Sequence, residues 1–246
     1  KWGRDLLSRV LEMELPLVID ADGPVVKVPE GVADEDAVYA WLSALSALCY
    51  RKAAFEPGEN VAVVGLGVLG LGAVALGPLF GARTVALGNS PVRTEMAMRM
   101  GAHAAFLSSD PNLQEKLDRF TDGVGIDLVI LAANPWPAYR TSMEVVRSGG
   151  RVSIVSLLGR GEEQLDFNPL VLDWFYDKGI SLIAVNGTAG YRFPGDREDP
   201  ERFSWNNSCA HILSLMADGR LEPKKLITHR LSHREMKRAY EMAYHR

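Results

Sequence analysis

The residues best placed to do chemistry lie where the apolar run Val61 to Val64 passes directly into Gly65-Leu66-Gly67-Val68-Leu69-Gly70 and then into an apolar helix. A strand that feeds a GxGxxG turn opening a helix is built to receive two linked phosphates. Gly65 permits the tight turn. Gly67 leaves room for a pyrophosphate to reach the backbone, and Gly70 lets the helix pack closely on the strand. The first helical N–H groups, on Val68, Leu69 and Gly70, have no partner within the helix and point at the anion together with the positive end of the helix dipole. The competing explanation is that these glycines serve only the turn and the packing. The strand before them and the helix after them favour the phosphate cradle.

The end of the second strand decides which dinucleotide is expected. A carboxylate there would accept from the ribose hydroxyls of NAD. The chain instead reads Gly88-Asn89-Ser90-Pro91-Val92-Arg93. Nothing there repels a 2'-phosphate, Asn89 and Ser90 can donate to one, and Arg93 can reach it one helical turn on. NADP is therefore expected, with NAD as the alternative. One or two charge-assisted hydrogen bonds would favour NADP by roughly tenfold to several hundredfold. In the opposing view Ser90 only caps the helix and Arg93 lies on a solvated face.

These residues need a sheet to position them. Short apolar runs at Val61–Val64, Thr84–Leu87, Ala104–Leu107, Asp127–Leu131, Arg151–Val155 and Ile180–Val185 alternate with amphipathic stretches. The pattern predicts an α/β fold, a doubly wound Rossmann sheet of six parallel strands covered by helices on both faces. Ser90 with Pro91 and Asp110 with Pro111 predict helix starts; Gly101, Gly123 and Gly149 predict helix stops, and Pro78 the last turn of the helix after the glycine turn. Asp34 to Ala53 reads as one helix. After the charged loop from Gly190 to Arg202 come a helix ending near Gly219, a short strand at Leu226–Leu231 and a last helix opened by the capping box of Ser232 and Glu235. The domains expected are residues 1–52, a remnant and linking helix; 53–187, the dinucleotide-binding domain; and 188–246, the C-terminal return.

Composition narrows the partners. The 246 residues carry 31 acidic against 27 basic side chains, a net charge of -4 with no basic cluster, so no nucleic acid is expected. Val61 to Phe80 contains no polar side chain, long enough to cross a bilayer, but five glycines and Pro78 interrupt it, and no membrane partner is expected. The two cysteines, Cys49 and Cys209, form no metal or disulfide motif, which suits a cytoplasmic setting. No secretory signal is read at the N-terminus, and a first residue of Lys suggests a fragment or a processed chain.

From about Val25 onward, Pro29-Glu30-Gly31-Val32, Pro57-Gly58-Glu59-Asn60-Val61, the glycine turn, Gly81-Ala82, Gly101-Ala102 and Ile227-Thr228-His229 follow one another in an order that resembles the medium-chain dehydrogenase/reductase superfamily, the zinc-type alcohol dehydrogenase relatives. The resemblance implies remnants of a GroES-like catalytic domain at both chain ends, a substrate cleft between the domains, and a homodimer or tetramer pairing through the sixth strand. It also places Ala133, Asn134, Ser156 and Leu157 at the nicotinamide end of the cofactor. The segment bearing that family's first two zinc ligands has no counterpart before Val25. Its third ligand should fall about 17 to 18 residues before Gly58, at Ala40 or Trp41, neither of which binds zinc. No catalytic zinc is expected, nor a site at Cys209 with His211 or His229 with His233. Tyr39, Tyr50 and His229 are conceivable proton donors, and no catalytic residue is assigned. The expectation is an oxidoreductase moving a hydride between NADP(H) and a small carbonyl, alcohol or activated alkene. The alternatives are a non-catalytic dinucleotide-binding module, including an inactive truncated dehydrogenase domain, and a Rossmann domain for some other nucleotide-containing ligand.

Overall fold

A computed structural model of the protein describes residues 17–19, 25–161, 165, 167–186 and 205–244. Most of Lys1 to Asp20 and the loop from Gly190 to Arg202 lie outside these residues. Six parallel strands form the centre: β3 (Asn60–Val64), β4 (Arg83–Gly88), β5 (Ala104–Leu107), β6 (Ile126–Leu131), β7 (Val146–Ile154) and β8 (Ser181–Ala184). Their order is β5-β4-β3-β6-β7-β8, the doubly wound arrangement. Every residue of β3 and β6 is buried, as strands covered on both faces require. Before them, β1 (Leu17–Ile19) and β2 (Val25–Lys27) make a small antiparallel pair.

The helices sort onto two faces. One face carries α2 (Ala40–Lys52), α3 (Val68–Leu79), α4 (Pro91–Arg99) and α7 (Trp205–Ala217), whose Leu48, Val74, Ala97 and Leu213 share one apolar cluster. The other carries α5 (Leu113–Phe120) and α6 (Trp136–Val145), which bury Leu117 and Met143 against Val85 and Val129. The long apolar run thus becomes a buried strand, the glycine turn and α3; no helix among the described residues is long and apolar enough to cross a membrane. Pro78 does stand in the last turn of α3.

Four local expectations are corrected. Asp34 to Ala53 is not one helix: α1 (Asp34–Ala37) ends where Tyr39 N–H bonds Asp36 O, three residues back, and α2 begins afresh at Ala40. Asp110 does not start α5 directly. Its carboxylate accepts the Asn112 N–H at 2.9 Å and its carbonyl the Leu113 N–H at 3.0 Å, so a turn comes first. Gly149 does not end a helix; α6 stops at Val145, where Lys178 Nζ donates to the carbonyls of Met143, Glu144 and Val146 at 2.8, 2.9 and 3.0 Å. Gly149 lies inside β7 with a positive φ, in the strand whose register with β6 shifts between Ile126 and Leu128.

Finally, Leu226 to Leu231 is not a strand. A 3₁₀ turn (Pro223–Leu226) leads into irregular chain, held to α1 by side chains instead of a backbone ladder. Arg230 grips Glu35 through two bonds of 2.6 and 2.9 Å, and the buried carboxylate of Asp36 accepts the Lys224 N–H at 2.8 Å. The capping box of Ser232 and Glu235 is present, ahead of a 3₁₀ turn and α8 (Met236–Tyr244).

Candidate functional site

At the carboxyl ends of the strands the connection after β3 leaves to one face and that after β6 to the other, and a cleft opens between them. The cleft, of about 800 Å³, is floored by Val64, Gly65 and Leu87 and walled by Ala132 to Pro135. Gly65 has a φ of +94°, and a Cβ there would lie 2.5 Å from that of Ala133. A Cβ at Gly70 would lie 1.8 Å from the Gly65 carbonyl oxygen. Gly67 differs: it is exposed, its φ is -83°, and nothing stands within 4 Å of where its Cβ would be. Two of the three glycines therefore close the turn, and the third keeps its approach open. Leu71 donates the first intrahelical bond back to Gly67 O at 2.8 Å, which leaves the N–H groups of Val68, Leu69 and Gly70 ahead of the helix ladder.

Of the residues singled out from sequence, Gly65, Gly67, Asn89, Arg93, Ala133 and Asn134 line this cleft. Val68, Leu69 and Gly70 form the start of α3 behind the turn. Gly88 is buried under Leu66, whose Cδ1 would stand 2.8 Å from a Cβ at that position. Ser90 is the N-cap of α4 in backbone conformation, but its side chain makes no capping hydrogen bond, so capping does not account for the hydroxyl. Arg93 is exposed on the first turn of α4, and its guanidinium makes no hydrogen bond or ion pair among the described residues. Ser156 and Leu157 are not on the cleft wall; the Ser156 hydroxyl is enclosed without a partner among the described residues, and the Leu157 N–H is held by Asn134 Oδ1 at 3.1 Å.

Sequence reading missed Ser108, Ser109 and Arg160, which also line the cleft. Ser108 and Ser109 follow the carboxyl end of β5, which is where ligand contacts in open parallel sheets are found. No carboxylate among the described residues lines the cleft, although the chain carries a net charge of -4.

The conceivable proton donors lie elsewhere. Tyr50 is buried, donates to Ala73 O at 2.7 Å, and burial pushes its hydroxyl pKa well above the ordinary phenol value. Tyr39 and His229 face a separate hollow with Glu35 and Arg230, and burial also raises the Tyr39 hydroxyl. A further cavity of about 480 Å³ between α2 and α7 borders Phe55 and Phe80, beside the amino ends of the strands. For zinc the donor set does not fit. Ala40 has no donor atom, and Trp41 stacks on Trp205 with ring centroids 5.0 Å apart. No group of three or more His, Cys, Asp or Glu among the described residues could hold a metal ion.

Comparison with known proteins agrees with this geometry. A family model described as zinc-binding dehydrogenase matches residues 68–195. The chain is 32% identical over 176 residues to an NADP-dependent isopropanol dehydrogenase of Thermoanaerobacter brockii, covering 71% of this chain and 45% of that protein. It is 24% identical over 220 residues to a sorbitol dehydrogenase of Bacillus subtilis, covering 89% and 56%. An alcohol dehydrogenase from Thermus sp. ATN1 superposes with a TM-score of 0.69 at 26% identity, over 90% of this chain and 60% of that one. The chain spans about half the length of the curated relatives it matches. With a doubly wound sheet, a glycine turn at its switch point and a family match over more than half its length, the chain belongs to the zinc-binding dehydrogenase family, within the medium-chain dehydrogenase/reductase superfamily.

Proposed function

We propose that the cleft holds NADP(H), and that the protein is an oxidoreductase moving a hydride between that cofactor and a small carbonyl, alcohol or activated alkene, without zinc bound at the Ala40–Trp41 position. The observation that carries the reading is the pairing of an open approach over Gly67 with an end where, among the described residues, no carboxylate lines the cleft and the Arg93 guanidinium has no partner. When bound, the nicotinamide supplies or accepts the hydride. The work of this chain is to hold it: the start of α3 receives the pyrophosphate, Asn89, Ser90 and Arg93 receive the 2'-phosphate, and Ala133 with Asn134 borders the nicotinamide end, Asn134 being braced from behind by the Leu157 N–H. The similarity to an NADP-dependent relative supports the same choice.

The deciding experiment is calorimetric titration with NADPH and NADH at matched ionic strength. NADPH should bind the wild type more tightly. Arg93→Ala should weaken NADPH binding by about tenfold to a hundredfold and NADH binding by less than about twofold. Equal losses for the two cofactors would remove the 2'-phosphate assignment. Elemental analysis of the same preparation should find zinc below one equivalent.

A second reading, a dinucleotide-binding module without catalysis, is favoured by one observation: none of Tyr39, Tyr50 and His229 lines the cleft. Cofactor binding without hydride transfer to any alcohol or carbonyl would select it. We also propose a homodimer or tetramer joined through β8, which is an edge strand of the sheet. A strictly monomeric sedimentation profile would count against that assembly.

A further inference from the structure

We propose that Arg160, carried on the turn after β7, is a second anion-binding residue of the cleft and contacts the pyrophosphate of the dinucleotide. This rests on the reading that the cleft holds a dinucleotide. Arg160 is exposed, lines the same cleft as Gly67 and Arg93, and its guanidinium makes no hydrogen bond or ion pair among the described residues. That sets it apart from Arg83, Arg147 and Arg230, which pair with Asp122, Asp127 and Glu35.

The turn that carries it is fixed from the cleft wall. Asn134 accepts the Leu157 N–H with its side chain at 3.1 Å and the Gly159 N–H with its carbonyl at 3.0 Å, and Leu157 O accepts the Arg160 N–H at 3.1 Å. Gly159 is required for that closure, because a Cβ there would stand 2.5 Å from the Trp136 ring. The backbone of Arg160 is thus held against the end of β6 before any ligand arrives.

Position and charge select the group. Neighbouring strands lie about 4.8 Å apart, so the end of β7 is about 10 Å from the glycine turn at β3 and about 14 Å from the end of β4, where Arg93 stands. An arginine side chain covers a larger share of the first distance than of the second. The pyrophosphate carries two negative charges, and the start of α3 offers it only the partial charge of a helix end. Arg93 is assigned to the 2'-phosphate, which leaves Arg160 as the full positive charge within reach among the cleft-lining residues.

The test is titration of the whole chain and its Arg160→Gln and Arg160→Lys variants with NADPH, NADH, adenosine and inorganic pyrophosphate. Pyrophosphate is followed by phosphorus NMR line broadening. Arg160→Gln should weaken NADPH and NADH by the same factor, about tenfold or more, while Arg160→Lys restores part of the loss. Adenosine binding should not change. An unchanged affinity, a loss confined to NADPH, or an equal loss for adenosine would overturn the proposal. If the wild type binds pyrophosphate through Arg160 but neither dinucleotide, the cofactor reading falls and the anion site stands; if it binds none of them, both fall.

Discussion

Gly70→Ala is expected to abolish dinucleotide binding and to unfold the protein at a markedly lower temperature, whereas Gly67→Ala should lose binding while leaving stability unchanged. The two substitutions add the same methyl group to the same turn, and the geometry separates them. At Gly70 the methyl would sit 1.8 Å from the carbonyl oxygen of Gly65 and 3.0 Å from its carbon, both backbone atoms that cannot rotate away. The turn would have to open, and it is already held by the Gly65 N–H bond to Leu87 O at 3.1 Å. Replacing glycine by alanine inside a helix gains only about 1 kcal/mol. Overpacking that shifts side chains and backbone costs about 1–3 kcal/mol, occasionally more. With a contact as short as 1.8 Å the cost falls at the upper end of that range, so the net loss should be about 2 kcal/mol, a fall in Tm of about 4–8 °C for a chain of this size.

At Gly67 the added methyl meets nothing within 4 Å, and a φ of -83° suits any residue. Thermal unfolding should match the wild type within about a degree, since surface changes of this kind stay within about 0.5 kcal/mol. The methyl would nonetheless stand where the pyrophosphate must approach, and NADPH binding should fall by tenfold or more, on the order of one lost charge-assisted contact. Gly67→Ala protein that binds NADPH like the wild type would remove the glycine turn from the cofactor site.

The fold was legible because buried parallel strands need apolar residues on both faces, and the runs at Val61–Val64 and Asp127–Leu131 have them. Three of its four misread parts share a cause: a contact from far along the chain overrides a local pattern, whereas at Asp110 the turn is made by its own neighbours Asn112 and Leu113. Glu35 holds Arg230 away from a strand, Asp36 reaches Lys224 where the first helix breaks, and Lys178 satisfies the carbonyls that end α6, so that Gly149 is free to serve β7. The site divides in the same way. Its glycines were legible since a turn and a close approach demand that residue and no other. Arg160 gave no signal, because one cation in an irregular turn looks like any solvated charge until Asn134 is seen to hold that turn against the cleft.

Gly77→Ala should destabilise the protein although it removes a glycine from the interior of a helix. Alanine's higher helix propensity favours the substitution by about 1 kcal/mol. Against it, the new methyl would lie 2.2 Å from Thr84 Oγ1, 3.3 Å from Thr84 Cβ and 2.8 Å from Tyr50 Oη. Neither neighbour can yield easily: Thr84 is fully buried in β4, and Tyr50 is buried with its hydroxyl bonded to Ala73 O at 2.7 Å. Moving Tyr50 would break that bond and strand a buried polar group, at about 1–3 kcal/mol, in addition to the overpacking. The expected net loss is about 2–3 kcal/mol in denaturant midpoints. A second variant separates the terms. Tyr50→Phe removes the hydroxyl that the methyl would strike, so the double variant should be less destabilised than the sum of the two single ones. Additive losses would place the strain wholly on Thr84, and a Gly77→Ala protein more stable than the wild type would show that α3 can move off β4 without cost.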